Sequence, residues 1–328
     1  MADYIVSVVI CAYTDKRWNQ TCAAVSSVRA QATSGTEIIL VVDHNAQLYK
    51  RLSAAFTDIT VVENSEPPGV SGARNMGVAL ARGDIVAFLD DDAAAEPDWL
   101  KFICDSYTDP AVIGVGGLIL PRWETGRPRW FPPEFYWVVG CSYLGMPGPD
   151  IPVRNLIGAN MSFRREAFEV SGGFRTDVGR NSGARPFGGE ETEFCIRLGQ
   201  RSPESVLLIE NRAAVSHLVP VARCRFSYFT SRCFAEGLSK AQVTTTVGGT
   251  DGLSSERRYA SRTLPRGAAR GVAGLLRGDL WALGRAGAIA VGLAAATAGY
   301  IVGSIRRRTG PDVAARGDAK GSATASDR

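Results

Sequence analysis

Short apolar runs alternate with longer amphipathic segments over the first 107 residues. Runs of strand length predict buried strands, and the segments between them have the spacing of helices. This alternation predicts an α/β fold with a doubly wound, mostly parallel sheet and helices on both faces. We expect strands at 5–10, 37–43, 60–63 and 85–90, and helices at 19–32, 47–56, 71–82 and 99–107, with Ser71 as a helix cap.

The pattern changes at 121–155, where seven prolines lie among aromatic residues. We expect an extended excursion that is either a loop packed over the core or an acceptor-side lid, with Trp130 and Trp137 as acceptor-binding candidates. Further along, the segment 158–165 is expected to lead into a helix. A helix is expected over 190–200 and a strand over 206–209, with His217 after that strand.

The C-terminal part differs in charge from the rest. Residues 257–328 carry 13 Lys/Arg and 4 Asp/Glu, whereas the whole chain has a net charge of +4. This tail contains few aromatic residues for base stacking, so an anionic membrane surface fits it better than nucleic acid. The seven cysteines show no CxxC spacing and predict neither a disulfide framework nor a zinc site.

Residues 286–305 contain no charge and are long enough to cross a bilayer. A re-entrant or interfacial helix, or a helix packed on the core or on a second subunit, are the alternatives. Upstream, four arginines fall on one helical face and four apolar residues largely on the other, which predicts a basic amphipathic helix at a membrane surface. These are Arg266, Arg270, Arg277 and Arg285, and Val272, Leu275, Leu276 and Leu283. Residues 309–328 are expected to be disordered.

Three consecutive carboxylates, Asp90, Asp91 and Asp92, end the strand predicted at 85–90. Their mutual repulsion favours a bound divalent cation, and hard oxygen ligands suit Mg²⁺ or Mn²⁺. Asp43 ends a neighbouring predicted strand and would face the same crevice. His217 could complete a metal site, although a polar turn and a structural histidine would explain these residues equally well.

Two further pairs of residues are candidates for catalysis or for phosphate binding. Glu190 and Glu191 follow two glycines at a predicted helix start, and either is a general-base candidate if that helix lies over the aspartates. Arg74 and Asn75 lie in the first turns of another helix, where phosphate groups bind. Plain helix capping and a surface arginine are the alternative interpretations.

Taken together, these motifs resemble those of the family-2 glycosyltransferases, which have the GT-A fold. The resemblance covers about residues 5–240, in the family's order. The matching segments are 7–13 (SVVICAY), 41–43 (VVD), 72–77 (GARNMG), 88–92 (FLDDD), 158–164 (GANMSFR), 172–174 (GGF), 188–193 (GGEETE) and His217.

The resemblance implies roles for individual residues. Nucleotide-binding residues would be Ala12, Tyr13, Asp43, Arg74, Asn75, Asp90 and Asp91, and metal ligands would be Asp90, Asp92 and His217. Asn160 lies in the acceptor-side motif, with Trp130 and Trp137 nearby in sequence. Glu191 occupies the position where many members have an aspartate base, and this change leaves Glu190 and Glu191 as alternatives for the base.

The segment 130–147 is similar to one in prokaryotic members that extend lipid-linked sugars, including glucuronosyltransferases acting on polyprenyl-phosphate glucose. This resemblance implies an inverting, Mg²⁺- or Mn²⁺-dependent transfer from a nucleotide-sugar, expected to be a UDP-sugar. The acceptor would be a lipid-linked or other membrane-proximal glycan at the cytoplasmic face of the membrane. We expect a catalytic domain at 1–240 and membrane-associated helices at 257–308. A nucleotidyltransferase or metal phosphohydrolase, and an inactive sugar-nucleotide-binding protein, remain alternatives.

Overall fold

A computed structural model describes residues 4–148, 151–178, 188–248 and 253–309. Its centre is one eight-stranded sheet in the order β3-β2-β1-β4-β7-β6-β8-β5. The strands are β1 (Val6–Ala12), β2 (Thr36–Val42), β3 (Thr60–Glu63), β4 (Ile85–Asp90), β5 (Ala93–Ala95), β6 (Val112–Trp123), β7 (Asn160–Arg164) and β8 (Val206–Val219). The strands β1 to β4 are parallel, as are β6 and β8, whereas β7 is antiparallel to both of its neighbours.

Ten α-helices accompany this sheet in the described part of the chain. They are α1 (Trp18–Arg29), α2 (Ala46–Ala55), α3 (Val70–Leu80), α4 (Trp99–Asp105), α5 (Glu166–Ser171), α6 (Glu190–Arg201), α7 (Phe226–Val247), α8 (Ser254–Arg258), α9 (Leu264–Leu275) and α10 (Leu280–Thr309). Shorter helical turns cover Asp15–Arg17, Pro133–Val139 and Val221–Cys224, and a π-helical turn, Tyr259–Thr263, joins α8 to α9.

Both faces of the sheet are covered. Along β1, Val8 and Ile10 belong to one buried cluster and Val9 to the other, because successive strand residues point to opposite faces. The same alternation holds in β4, where Leu89 and Phe88 lie on opposite sides. Helices on both faces are therefore confirmed.

Several local predictions were wrong. Helix α3 begins at Val70 after Gly69, whose φ of 120° suits glycine, so Ser71 lies inside the helix and does not cap it. Segment 158–165 does lead into a helix, because α5 begins at Glu166, but residues 160–164 themselves form β7. Strand β8 runs to Val219, so His217 lies within it and does not follow it.

The predicted amphipathic helix is two helices. The chain turns at Gly278, which has a φ of 83°, and so α9 and α10 are separate. Arg266 and Arg270 belong to α9, whereas Arg285 belongs to α10, so the four arginines do not share one helical face. The predicted disordered end lies, from residue 310 onward, outside the described residues.

The described residues of the excursion, 121–148 and 151–155, pack over the core, which is one of the two expectations. The first three residues of the excursion belong to β6, and its centre is the turn Pro133–Val139. Phe131 and Phe135 are fully buried and contact Phe229 of α7 with ring centroids 5.4 Å and 5.3 Å away. We call residues 130–140 the aromatic wall.

The C-terminal helices pack against this wall. Arg270 of α9 pairs with Glu134 at 2.5 Å, and the hydroxyl of Tyr259 donates to the carbonyl oxygen of Glu134 at 2.5 Å. Helix α10 in turn lies along α7. The division into a catalytic domain and separate membrane helices remains a prediction, but the two parts are in direct contact.

Candidate active site

The three aspartates lie where β4 ends and β5 begins. The side chain of Asp90 is 38% exposed, whereas Asp91 and Asp92 are buried. Strand β5 pairs antiparallel with β8 and brings Ala93 opposite His217. This pairing explains why His217, far away in sequence, lies beside the aspartates.

Asp90, Asp92 and His217 form a possible metal site. One ligand atom from each lies within 4.8 Å of the others, and Nε2 of His217 is 3.2 Å from Oδ1 of Asp92. The other ring nitrogen of His217 lies 3.8 Å from Sγ of Cys141. Two carboxylates and one imidazole are a donor set that fits a divalent cation such as Mn²⁺. A site for a divalent cation is therefore supported by geometry, and the identity of the metal is open.

Arginines partly neutralise this acidic site. Arg17 contacts Asp91 at 2.6 Å and Asp92 at 3.0 Å, and Arg223 lies 3.5 Å from Asp92. Burial works against the charged form of Asp92, but His217 and the two arginines outweigh it and lower its pKa. Burial raises the pKa of Asp91 to about 7, although Arg17 opposes the shift. The Oδ2 atom of Asp91 has no hydrogen-bond partner among the described residues.

Arg74 connects the aspartates to the glutamate pair. Its buried guanidinium lies 3.5 Å from Oδ1 of Asp90 and 3.2 Å from Oε1 of Glu190, and it donates to the carbonyl oxygen of Gly158 at 3.3 Å. One side chain thus joins α3, β4 and the start of α6. Through Arg74, Glu190 at the start of α6 therefore lies close to Asp90, and the general-base role of the pair remains a prediction.

The two glutamates have different surroundings. Glu190 is buried, and its second oxygen has no partner among the described atoms. Glu191 is half-buried. Burial, and then the neighbouring charge of Glu190, raise the pKa of Glu191 to about 7, while Arg74 acts in the opposite direction. A carboxylate that titrates near neutral pH suits general-base chemistry.

The residues predicted to contact the nucleoside lie together at the ends of β1 and β2. The carbonyl oxygen of Ala12 accepts from the backbone N–H of Asp43 at 2.7 Å. Asp43 accepts hydrogen bonds from Asn64 at 2.7 Å and from the N–H of Gly69 at 2.9 Å. Tyr13 is 53% exposed at the edge of the site. Their nucleotide-binding roles remain predictions.

Two predicted binding residues have side chains that are occupied by protein partners. The amide of Asn75 exchanges two hydrogen bonds of 2.8 Å with the backbone of Phe174. Asn160 is buried; its oxygen accepts from Nε1 of Trp99, and its nitrogen donates to two carbonyl groups. These hydrogen bonds hold neighbouring parts of the protein together. Direct contact of either residue with a ligand remains a prediction.

The aromatic wall lines one side of the site. A cleft of about 70 Å³ opens beside the metal-ligand group and is lined by Arg17, Asp90, Asp92, Trp137, His217 and Arg223, among others. Trp130 is half-buried and stacks on Phe131 with centroids 5.1 Å apart, away from this cleft lining. Trp137 is thus nearer to the chemistry than Trp130 is.

Sequence reasoning missed four cationic or hydroxyl residues of the cleft: Arg17, Arg223, Tyr228 and Arg232. Arg17 lies four residues after Tyr13 in a short helical turn, and Arg223 lies in the turn after β8. Because both arginines lie far from the aspartates along the chain, the sequence does not show that they belong to the same site. The carboxylates themselves were the available signal, because buried acids need cationic partners.

Comparisons with known proteins agree with this geometry. The sequence model described as "Glycosyl transferase family 2" matches residues 7–172. A glucosyl-dolichyl phosphate glucuronosyltransferase from Haloferax volcanii is 38% identical over 239 residues, which are 72% of this chain and 76% of that protein.

Solved structures show the same fold at low sequence identity. The mannosyltransferase PcManGT from Pyrobaculum calidifontis, in complex with GDP-Man and Mn²⁺, has a TM-score of 0.58 and 17% identity, and the match covers 93% of this chain and 88% of that chain. GalNAc-T7 with UDP, GalNAc and Mn²⁺ has a TM-score of 0.52 and 16% identity, with coverages of 80% and 55%. The expected GT-A fold is confirmed. With the family model and the relative from Haloferax volcanii, these findings identify the chain as a glycosyltransferase that belongs to glycosyl transferase family 2.

Proposed function

We propose that this enzyme transfers a sugar, with inversion, from a nucleotide-sugar to a lipid-linked glycan acceptor at the cytoplasmic face of a membrane. The observation that carries the proposal is the side chain of Arg74, which spans from Asp90 to Glu190 and so brings a cation site and a candidate base into one site.

The donor would be bound at the ends of β1, β2 and β4. Asp43 already accepts two hydrogen bonds from protein groups, which hold it in place to contact a base. A UDP-sugar is the donor that we propose, with its diphosphate near Asp90, Asp91 and Arg74. The positive charges of Arg17 and Arg223 would also favour a diphosphate there.

Asp90, Asp92 and His217 would hold the divalent cation. When bound, Mn²⁺ or Mg²⁺ acts as a Lewis acid that neutralises negative charge on the departing nucleoside diphosphate. Arg17 pairs with Asp91 and Asp92 and thereby holds these carboxylates in position. Cys141 contacts the imidazole of His217 from the other side.

Glu191 is the general base that we propose. Its carboxylate would accept the proton of the acceptor hydroxyl, and Glu190 would hold Arg74 in place. An in-line attack by that hydroxyl on the anomeric carbon inverts its configuration, because only one displacement occurs. Trp137 on the aromatic wall would contact the acceptor.

The relative from Haloferax volcanii is named for transfer to a glucosyl-dolichyl phosphate. At 38% identity over most of both chains, it supports a lipid-linked acceptor for this enzyme. The apolar helix α10 supports a location at the membrane. By length and composition, it is long and apolar enough to cross a bilayer.

A donor panel tests the proposal. Purified enzyme is incubated with Mn²⁺, several nucleotide-sugars and a polyprenyl-phosphate glycan, and the released nucleotide and the product anomer are identified. We expect UDP release and an inverted product that need the cation. Asp92→Asn should reduce the rate by on the order of 10²-fold, because a carboxylate ligand is lost. Asp105→Asn is the matched control, at a half-buried acid on the surface of α4 that pairs with Lys101.

The same assay separates the alternatives. Release of sugar 1-phosphate would favour the other enzyme classes: a phosphohydrolase would release UMP beside it, whereas a nucleotidyltransferase would attach UMP to the acceptor. Nucleotide binding without turnover in every combination would favour an inactive binding protein. A product that retains the donor's anomeric configuration would refute the single-displacement mechanism.

A further inference from the structure

The turn between α9 and α10 exposes large apolar side chains to solvent. Leu276 and Leu280 are 86% and 76% exposed. The same region exposes Val272, Leu275, Trp281 and Leu283. Exposed apolar patches of this kind mark interaction sites, because leaving them in water is costly. We call residues 272–283 the hairpin tip.

The charge around the hairpin tip is strongly positive. Residues 257–285 contain seven arginines and one acid, Asp279. Arg270 and Arg285 form ion pairs with Glu134 and Asp279. The other five are exposed and form no ion pair with any residue that the structure describes; they are Arg257, Arg258, Arg262, Arg266 and Arg277. Unpaired arginines beside exposed leucines and a tryptophan match the chemistry of an anionic lipid surface.

Helix α10 is bound tightly to α7, which limits how it can meet a membrane. A Cβ atom on Gly237 of α7 would lie 2.0 Å from the carbonyl oxygen of Ala296, and one on Gly299 would lie 2.0 Å from that of Phe234. The two backbones are therefore in direct contact. Helix α10 also exposes an apolar face along its length, which includes Val291, Leu293, Ile301 and Ile305.

Helix α7 cannot follow α10 into a hydrocarbon core at low cost. Its charged residues Arg232, Glu236 and Lys240 form ion pairs with one another and with Glu256, and Arg232 also lines the cleft. Charged groups within a bilayer are expensive. A transmembrane α10 would either lose its contacts with α7 or draw those charges into lipid.

We propose that α9 and α10 form an in-plane docking surface for an anionic lipid bilayer, with the hairpin tip inserted among the head groups and α10 not crossing. Arg270 and Tyr259 also tie these helices to the aromatic wall through Glu134 and Trp137. The surface that binds lipid is therefore fixed to one side of the catalytic cleft. A lipid-linked acceptor would then meet the cleft from the membrane without leaving it.

Vesicle flotation tests the lipid chemistry with the full-length protein. We expect binding to phosphatidylglycerol–phosphatidylcholine vesicles that is much stronger than binding to pure phosphatidylcholine and that weakens with salt. The double variant Leu276→Glu/Trp281→Glu should partition at least about tenfold less, since two large apolar groups no longer leave water. Val170→Glu, at an exposed apolar residue of α5, is the matched control.

The charge contribution has its own control. Arg266→Glu/Arg277→Glu should remove the preference for the anionic vesicles, whereas Lys50→Glu on α2 should leave it unchanged. Circular dichroism checks that each variant is folded. Vesicle binding by Leu276→Glu/Trp281→Glu at the wild-type level would overturn the proposal, as would concentration-dependent dimerisation without any lipid binding.

Topology distinguishes docking from crossing. Membrane vesicles with the cytoplasmic side outward are prepared from cells that express the protein with tags at both ends, and protease is added. We expect both tags to be digested. Protection of the C-terminal tag alone would show that α10 crosses and would overturn the proposal. These measurements do not involve sugar transfer, so they stand or fall apart from the proposed reaction.

Discussion

Glu190 and Glu191 are adjacent in the chain, but their partners give them different properties. Glu190 pairs with Arg74, whereas Glu191 has a pKa raised to about 7 by burial and by the charge of Glu190. The family resemblance left either glutamate as the base. The contacts favour Glu191 as the base and Glu190 as the residue that positions Arg74 and tunes its neighbour.

The first prediction is a pH dependence of kcat. Because the pKa of Glu191 is raised above its usual value, the carboxylate is protonated below about pH 7, and kcat should rise with pH and level off above that point. Glu190→Gln should shift this rise to lower pH, because a neighbouring negative charge is removed. Glu191→Gln should lower kcat by about 10²–10⁴-fold and remove the rise.

The measurement is kcat from about pH 5 to about pH 9 at saturating donor and acceptor, with nucleotide binding followed separately. Glu204→Gln, a change at an exposed acid beyond the end of α6, is a control that should not alter the profile. If Glu190→Gln loses turnover and Glu191→Gln keeps it, the assignment of the base is reversed.

Asn160 lies in the acceptor-side motif, but its observed hydrogen bonds are all to other groups of the protein. Its buried side-chain amide accepts a hydrogen bond from Nε1 of Trp99 and donates to the carbonyl oxygens of Leu118 and Ala213. The second prediction is that Asn160→Leu lowers the free energy of unfolding by about 2–4 kcal/mol, because these groups become buried without partners. Urea unfolding measures the change, with Asn19→Ala on the exposed face of α1 as the control.

Kinetics on the same variant separates support from binding. If Asn160 contacts the acceptor, the variant should keep wild-type stability and show a raised KM for acceptor alone. Loss of stability with an unchanged KM in the folded fraction is the result expected from the hydrogen bonds observed.

At the scale of elements, the sequence pattern predicts the first half of the chain well. The strands β1, β2 and β4 lie close to their predicted positions because each contains a continuous apolar run buried on both faces, whereas β3 is a short edge strand that is only partly buried. Short or mixed segments were harder. Strand β5 has three alanines, and β7 begins with the polar Asn160, whose partners come from distant parts of the chain.

Helix ends depend on backbone conformation that an amino-acid pattern records poorly. The glycines that set these ends, Gly69 before α3 and Gly278 before α10, both have positive φ. The prediction that four arginines share one helical face required a single continuous helix over residues 266–285. Gly278, within that range, was the signal against continuity.

The pairing of α7 with α10 leads to the third prediction. Gly299→Ala should lower the free energy of unfolding by about 1–3 kcal/mol, because its Cβ would overlap the carbonyl oxygen of Phe234 and force the helices apart. Gly287→Ala, in the same helix, meets nothing within 4 Å and should be neutral or stabilising by up to about 1 kcal/mol. Thermal unfolding in detergent compares the two variants. Equal melting temperatures would contradict the close helix contact.

At the scale of the whole molecule, the site is assembled from distant segments. Arg74 and Glu190 are 116 residues apart in sequence, and Arg17 and Asp91 are 74 apart. The aspartates, His217 and the glutamates could be recognised as candidates from their types and positions. Their arginine partners could not, since only the folded sheet brings β4, β8 and α6 to one edge.

The last prediction concerns the C-terminal helices, which the sequence pattern describes as an anchor. Deleting 257–328 removes Tyr259, Arg270 and Ile289, which contact or pack behind the aromatic wall. The truncated protein should therefore lose stability and activity, even towards a short water-soluble acceptor, because buried Phe135 and Glu134 become exposed.

Deleting 310–328 alone should leave both stability and activity unchanged, since the composition of this segment predicts no packed element. Melting temperature and rate on the soluble acceptor are the measurements. Full activity of the longer deletion would mean that these helices only anchor the enzyme, whereas the observed contacts make them part of the wall beside the cleft.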